Sequence, residues 1–137
     1  MPQYHVEPTA ESHFSWLRTR LSVDRTFMSW VRTAASMIGF GFTIVQFFEH
    51  LSKLEEFEAP RLPHAPLVLG LALIGTGVIG LAIALYEHAT AVRHLEEPQF
   101  RDIADPHMHK GSAFVIAIAM IVTGIVAFGS IVMRALF

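Results

Sequence analysis

Three stretches of this chain contain no Asp, Glu, Lys or Arg: Thr33 to Phe48, Leu62 to Tyr86 and Gly111 to Met133. At about 1.5 Å per helical residue, a hydrocarbon core of about 30 Å is crossed by roughly 20 residues. The second and third stretches reach that length as they stand, and the first does once Trp30, Val31 and Arg32 are included. Composition agrees, because 53% hydrophobic and only 16% charged residues in 137 is the balance of a membrane protein. The expected fold is all-α, with three transmembrane helices over about residues 25–50, 66–87 and 111–134.

The segment Met1 to Asp24 is polar and mixed in charge, unlike the basic entrance and short apolar core of a cleaved leader, so the first span is expected to stay. Residues 1–11 read as a loose cytoplasmic arm, with Thr9 placed to cap a helix and Glu11 in its first turn. Phe14, Leu17 and Leu21 then recur at helical spacing beside Trp16, which predicts an amphipathic helix over 12–23 on the inner membrane face. The alternative is that this segment packs on neighbouring parts of the protein. Cysteine is absent, so thiolate chemistry and disulfides are excluded.

Four of the ten basic residues (Arg18, Arg20, Arg25, Arg32) lie before or at the first span, and three (Arg93, Arg101, Lys110) between the second and third. Only Lys53, Arg61 and Arg134 fall on the other side. The positive-inside bias therefore predicts a cytoplasmic N-terminus and an external C-terminus. The connection Glu87 to Lys110 reads as a cytoplasmic loop. Ala72, Thr76, Gly80 and Ala84 in the second span, and Ala119, Thr123 and Ala127 in the third, form small-residue seams of the kind that let helices approach in lipid. They are candidate packing faces for a homo-oligomer in the lipid bilayer.

Chemistry-bearing residues concentrate in the first span. Stepping from Arg25 by four and three residues meets Ser29, Arg32, Ser36, Gly39, Thr43 and Gln46, while Arg18 and Ser22 extend the series backward. At 3.6 residues per turn these positions share one side of a helix. An arginine near the interface is explained by anchoring to lipid phosphates. Hydroxyls and an amide continuing past Arg32 are not needed for an anchor. They suit either a wet cationic path for an anionic, phosphate-containing ligand or hydrogen bonds between helices. Asp24 can pair with Arg20 four residues before it or with a neighbouring chain.

The histidines His88, His94, His107 and His109 lie outside the three expected spans and lack a metal-ligand spacing, so no metal or cofactor is expected. No phosphate-binding Gly-rich loop before a Lys and no nucleophile elbow occurs, and the chain is not read as an enzyme. Nucleic acid is not an expected partner.

The run Asp24-Arg25-Thr26-Phe27-Met28-Ser29-Trp30-Val31-Arg32-Thr33, followed by Gly39-Phe40-Gly41-Phe42, resembles the signature of the YidH-type three-helix inner-membrane proteins. That signature is an acid, Arg-Thr, two hydrophobic residues, a small residue, Trp, a hydrophobic residue and Arg-Thr. The same domain is similar to the membrane part of the vacuolar transporter chaperone complex, a ring that passes polyphosphate between its first helices. The resemblance implies a transport role, with Asp24 and Arg25 matching an acid–arginine pair on the polyphosphate path and Arg18 a basic residue upstream. A basic residue expected just after the second span is missing, and His88 or Arg93 is the candidate replacement at the cytoplasmic mouth. The catalytic domain that makes the polymer there has no counterpart in this chain. The best-supported expectation is an oligomeric conduit, and the alternative is a non-transporting subunit that binds lipid headgroups or a membrane partner.

Overall fold

The computed structural model describes residues 7–53, 64–104 and 112–136. They form three long helices, α1 (Ala10–Leu51), α2 (Ala65–Leu95) and α3 (Ser112–Leu136), with one 3-10 turn at Pro98–Phe100. No strand occurs among the described residues. All three helices are long and apolar enough to cross a membrane. In hydrocarbon a lone chain segment satisfies its own N–H and C=O groups only as a helix, so apolar stretches of this length and this fold are one statement. The protein is an all-α, multi-pass membrane protein.

Thr9 caps α1 as expected. Its hydroxyl accepts from the Ser12 amide at 3.1 Å while the Ser12 hydroxyl accepts from the Thr9 amide at 3.0 Å, a reciprocal capping box. With 42 residues at about 1.5 Å each, α1 is about twice as long as a 30 Å hydrocarbon core is thick. The amphipathic segment 12–23 is thus not a separate helix lying flat, but the first turns of α1. No Gly or Pro interrupts residues 10–38, so nothing in the sequence breaks the helix before the span.

The buried partners of those first turns come from the end of α2 and beyond. Trp16 is buried and donates its indole N–H to the Leu95 carbonyl at 3.0 Å. His13 Nδ1 lies 2.6 Å from the Ile103 carbonyl. A carbonyl only accepts, so this contact assigns the proton to Nδ1. Through Trp16 and His13 the segment packs on the end of α2 and the residues after it, while Phe14 and Leu21 stay exposed. Residues 88–95, expected as loop, are instead two further turns of α2, and Pro98 lies three residues beyond its end.

The core is an α1/α2 contact with α3 laid against it. Phe27, Val31 and Ala34 of α1 meet Leu81 and Ala84 of α2 and Ala117 of α3, while Val45, Ile74 and Ile131 form a second cluster toward the other end. Backbones touch at Gly41 and Gly70. A Cβ on Gly41 would lie 2.6 Å from the Gly70 carbonyl oxygen, and one on Gly70 would collide with Val45. Glycine at both positions is what allows this approach.

Three of the four small residues proposed as a seam on α2 are not part of this packing. Ala72 and Thr76 are exposed and a Cβ on Gly80 would meet nothing within 4 Å, whereas Ala84 is buried in the core. On α3, Ala119 and Thr123 are exposed and Ala127 is half-buried, and the packing face is Ala117, Gly124 and Ile131. Within the chain the working α2 seam is Gly70, Ile74, Gly77 and Leu81, where small positions alternate with large ones. The hydroxyls of Thr76 and Thr123 donate to the carbonyls of Ala72 and Ala119 of their own helices, so neither needs a neighbour.

A candidate anion-binding face on the first helix

The side of α1 that packs carries Trp16, Arg20, Phe27, Val31, Ala34, Ile38, Gly41 and Val45. The opposite side carries the polar series. Arg18, Ser22, Arg25, Ser29, Arg32, Ser36, Gly39 and Thr43 are all exposed, and Gln46 is half-buried. The helical period that buries one stripe against α2 therefore turns the other outward, away from this chain's own core. None of Arg18, Arg25 and Arg32 has an acid within ion-pair distance among the described residues.

The hydroxyls along this face are partly spent. Ser36 donates to the Arg32 carbonyl at 3.1 Å and Thr43 to the Gly39 carbonyl at 2.8 Å. Their oxygens still accept, but a donor for an anion must come from Ser22, Ser29, Gln46 or the guanidinium groups.

Asp24, which the resemblance pairs with Arg25, does not share this face. It is turned toward the α1/α2 contact, where its carboxylate lies 3.4 Å from Arg20 Nη1 and 3.6 Å from His88 Nε2. The pairing with Arg20 at four-residue spacing is the one read from the sequence. Phe27 stacks on the His88 ring with centroids 4.3 Å apart. Arg20 is 6% exposed, and neither its Nη1 nor His88 Nδ1 has a formed hydrogen bond. Of the two candidate replacements for the missing basic residue, His88 joins Asp24 and Arg93 is exposed.

Beside this cluster a groove of about 210 Å³ opens between α1 and α2. Phe27 and Ala84 are its buried walls, and Ser22, Thr26, Trp30 and Glu87 its exposed ones. Sequence reading passed over it, and over the burial of Arg20, because both depend on which turn of α2 lies beside which turn of α1. The one local signal was Arg20 placed four residues before Asp24. Among the described residues no group of His, Asp and Glu could hold a metal ion. His107 and His109 lie outside the described residues.

Fold and site together define a small three-helix membrane protein whose longest helix carries a cationic face with no acid partner among the described residues. A family model described as a domain of unknown function, DUF202, matches residues 15–94, and the chain belongs to that family, the YidH-type three-helix membrane proteins. The matched region holds the whole polar face of α1 from Arg18 onward, Asp24 and His88. No curated protein matches the chain, and no solved structure does.

Proposed function

We propose that this protein assembles as a homo-oligomeric conduit for phosphate-containing anions, lined by the outward polar face of α1. One observation carries the reading: Arg18 to Thr43 form an exposed polar stripe opposite the helix's packing face, and its arginines have no acid partner among the described residues. A guanidinium exposed to lipid at the helix centre costs roughly 2.5–3.5 kcal/mol on insertion scales, and a polar stripe running the length of a span gains nothing from acyl chains. Facing a shared axis, the same residues supply guanidinium forks matched to phosphate oxygens. Polyphosphate is the anion implied by the resemblance to the vacuolar transporter chaperone membrane domain. The positive-inside count orients the Arg18 end toward the cytoplasm.

A lipid-binding, non-transporting subunit is favoured by a different observation. Ser36 and Thr43 already donate within their own helix, so the hydroxyls beyond Arg32 are satisfied without a lumen. The absence of native cysteine makes the test direct. Single cysteines at Ser29, Ser36 and Thr43 are expected to react with a charged, membrane-impermeant thiol reagent in the assembled protein. Protection at all three sites, together with unchanged pyrophosphate or polyphosphate flux in proteoliposomes of Arg18→Ala and Arg32→Ala, would overturn the conduit in favour of lipid binding.

A further inference from the structure

The two flanks of α1 beside its polar face are unlike. One flank carries large aliphatic side chains left uncovered, with Leu21 48% and Met28 36% exposed. On the other flank, at the same turns of the helix, lies the groove between α1 and α2 walled by Thr26, Trp30 and Ala84. Its volume of about 210 Å³ compares with an apolar cavity of about 150 Å³ that holds benzene, so it has room for an aliphatic side chain.

Rotation about an axis along the membrane normal leaves depth unchanged, so a side chain meets on the next copy whatever lies at its own level. Leu21 and Met28 flank the levels of Ser22 and Thr26 in sequence, and therefore arrive at the groove's own depth. Charge matches as well. Arg25, set between Leu21 and Met28 on the helix surface, has no acid partner within the described residues, and Glu87 is exposed on the wall of the groove.

We infer that neighbouring copies join through a head-to-tail contact in which Leu21 and Met28 of one copy enter the α1/α2 groove of the next, with Arg25 of the first paired to Glu87 of the second. This deepens the conduit reading and rests on it in one respect, that α1 lies toward the axis. The surfaces involved are different patches of one chain, so the contact is heterologous and closes into a ring when the rotation allows. It also makes the three arginines unequal. Arg25 is a positioning residue that holds the interface, whereas Arg18 and Arg32, one turn-pair below and above it, are left for the anion.

Cysteine pairs in native membranes test this. Thr26→Cys with Met28→Cys places thiols two residues apart on one helix, where they face apart and cannot bridge within a chain. Mild oxidation is expected to give a ladder of covalent oligomers ending at one size, while each single variant stays monomeric. Copies carrying Thr26→Cys mixed with copies carrying Met28→Cys are expected to give dimers only. Arg25→Glu and Glu87→Arg are each expected to reduce ladder yield several-fold, and the two together to restore it. A dimer from Met28→Cys alone, or no ladder from particles that are oligomeric by mass, overturns the contact; the second outcome is the one expected if a lipid acyl chain fills the groove. A ladder with no anion flux overturns the conduit and leaves the contact standing, and flux without a ladder does the reverse.

Discussion

His88 Nε2 lies 3.6 Å from the same Asp24 oxygen that Arg20 Nη1 meets at 3.4 Å, so one carboxylate of α1 faces both a buried guanidinium of its own helix and an imidazole of α2. Removing its charge leaves Arg20, 6% exposed, as a buried cation without a counter-ion. Breaking a buried pair from one side costs up to about 3–5 kcal/mol, and the one-third exposure of the Asp24 side chain brings the expected cost of Asp24→Asn to about 2 kcal/mol. Adding Arg20→Met is expected to recover part of it, since two neutral groups replace one stranded charge. Denaturant titration in mixed micelles measures both, and a double variant less stable than Asp24→Asn alone would show that the pair is not what the carboxylate supports.

The glycines divide by what surrounds them. A methyl on Gly41 would lie 2.6 Å from the Gly70 carbonyl oxygen, which is backbone and cannot turn aside, whereas one on Gly80 meets nothing within 4 Å. Gly41→Ala is expected to destabilise by up to about 2 kcal/mol, the overpacking cost of about 1–3 kcal/mol less a helix-propensity gain of about 1. Gly80→Ala gains the propensity and loses nothing within the chain, so it is expected to be neutral or slightly stabilising. The sign difference between the two is the measurement.

Trp16 ties the first turns of α1 to the end of α2 through the Leu95 carbonyl. Trp16→Phe keeps an aromatic ring but deletes the donor, a loss of about 1 kcal/mol for an ordinary hydrogen bond. Because the contact is confined to one end of a long helix, its loss is expected to open residues 10–22 locally. Hydrogen exchange should speed there and remain unchanged from Ala34 to Val45, where α1 is held by the core.

Those three cases show what the sequence makes legible. Uncharged length alone gives three helices, because hydrocarbon leaves the backbone no other partner. The polar face of α1 is equally legible, since Arg18 through Gln46 and the buried Phe27 through Val45 are two phases of one helical period. Which run of α2 packs within the chain was not. Ala72-Thr76-Gly80 and Gly70-Ile74-Gly77 are both runs of suitable spacing, and only the second matches the bulk of Ile38 and Val45 on the facing helix. The Asp24–Arg20 pair was legible from its four-residue spacing, and the step of about 100° from Arg25 to Asp24 is what carries the carboxylate from the outward face to the α2 side.

Glu49 offers a contrast to Asp24. It lies 3.7 Å from Lys53, two residues beyond the end of α1, and 3.7 Å from Arg134 of α3, with Lys53 and Arg134 well exposed. Exposed pairs are worth about 0–1 kcal/mol and are screened by salt. Glu49→Gln is therefore expected to leave thermal stability within error of the parent at moderate ionic strength, although its carboxylate has as many cationic neighbours as Asp24 has basic ones.

Arg32 distinguishes electrostatic attraction from geometric recognition on the proposed path. It stands at the entry to the uncharged run, exposed and without an ion-pair partner among the described residues. Arg32→Leu removes the charge and is expected to abolish pyrophosphate flux into proteoliposomes while leaving the cross-linked ladder intact. Arg32→Lys keeps the charge but replaces a planar fork of five donors by a compact ammonium, which binds phosphate without the bidentate geometry. Its half-saturating anion concentration is expected to rise several-fold with little change in maximal rate, and to rise further with added salt, because the remaining attraction is a point charge. Equal flux from Arg32→Leu and the parent would place this guanidinium outside the path.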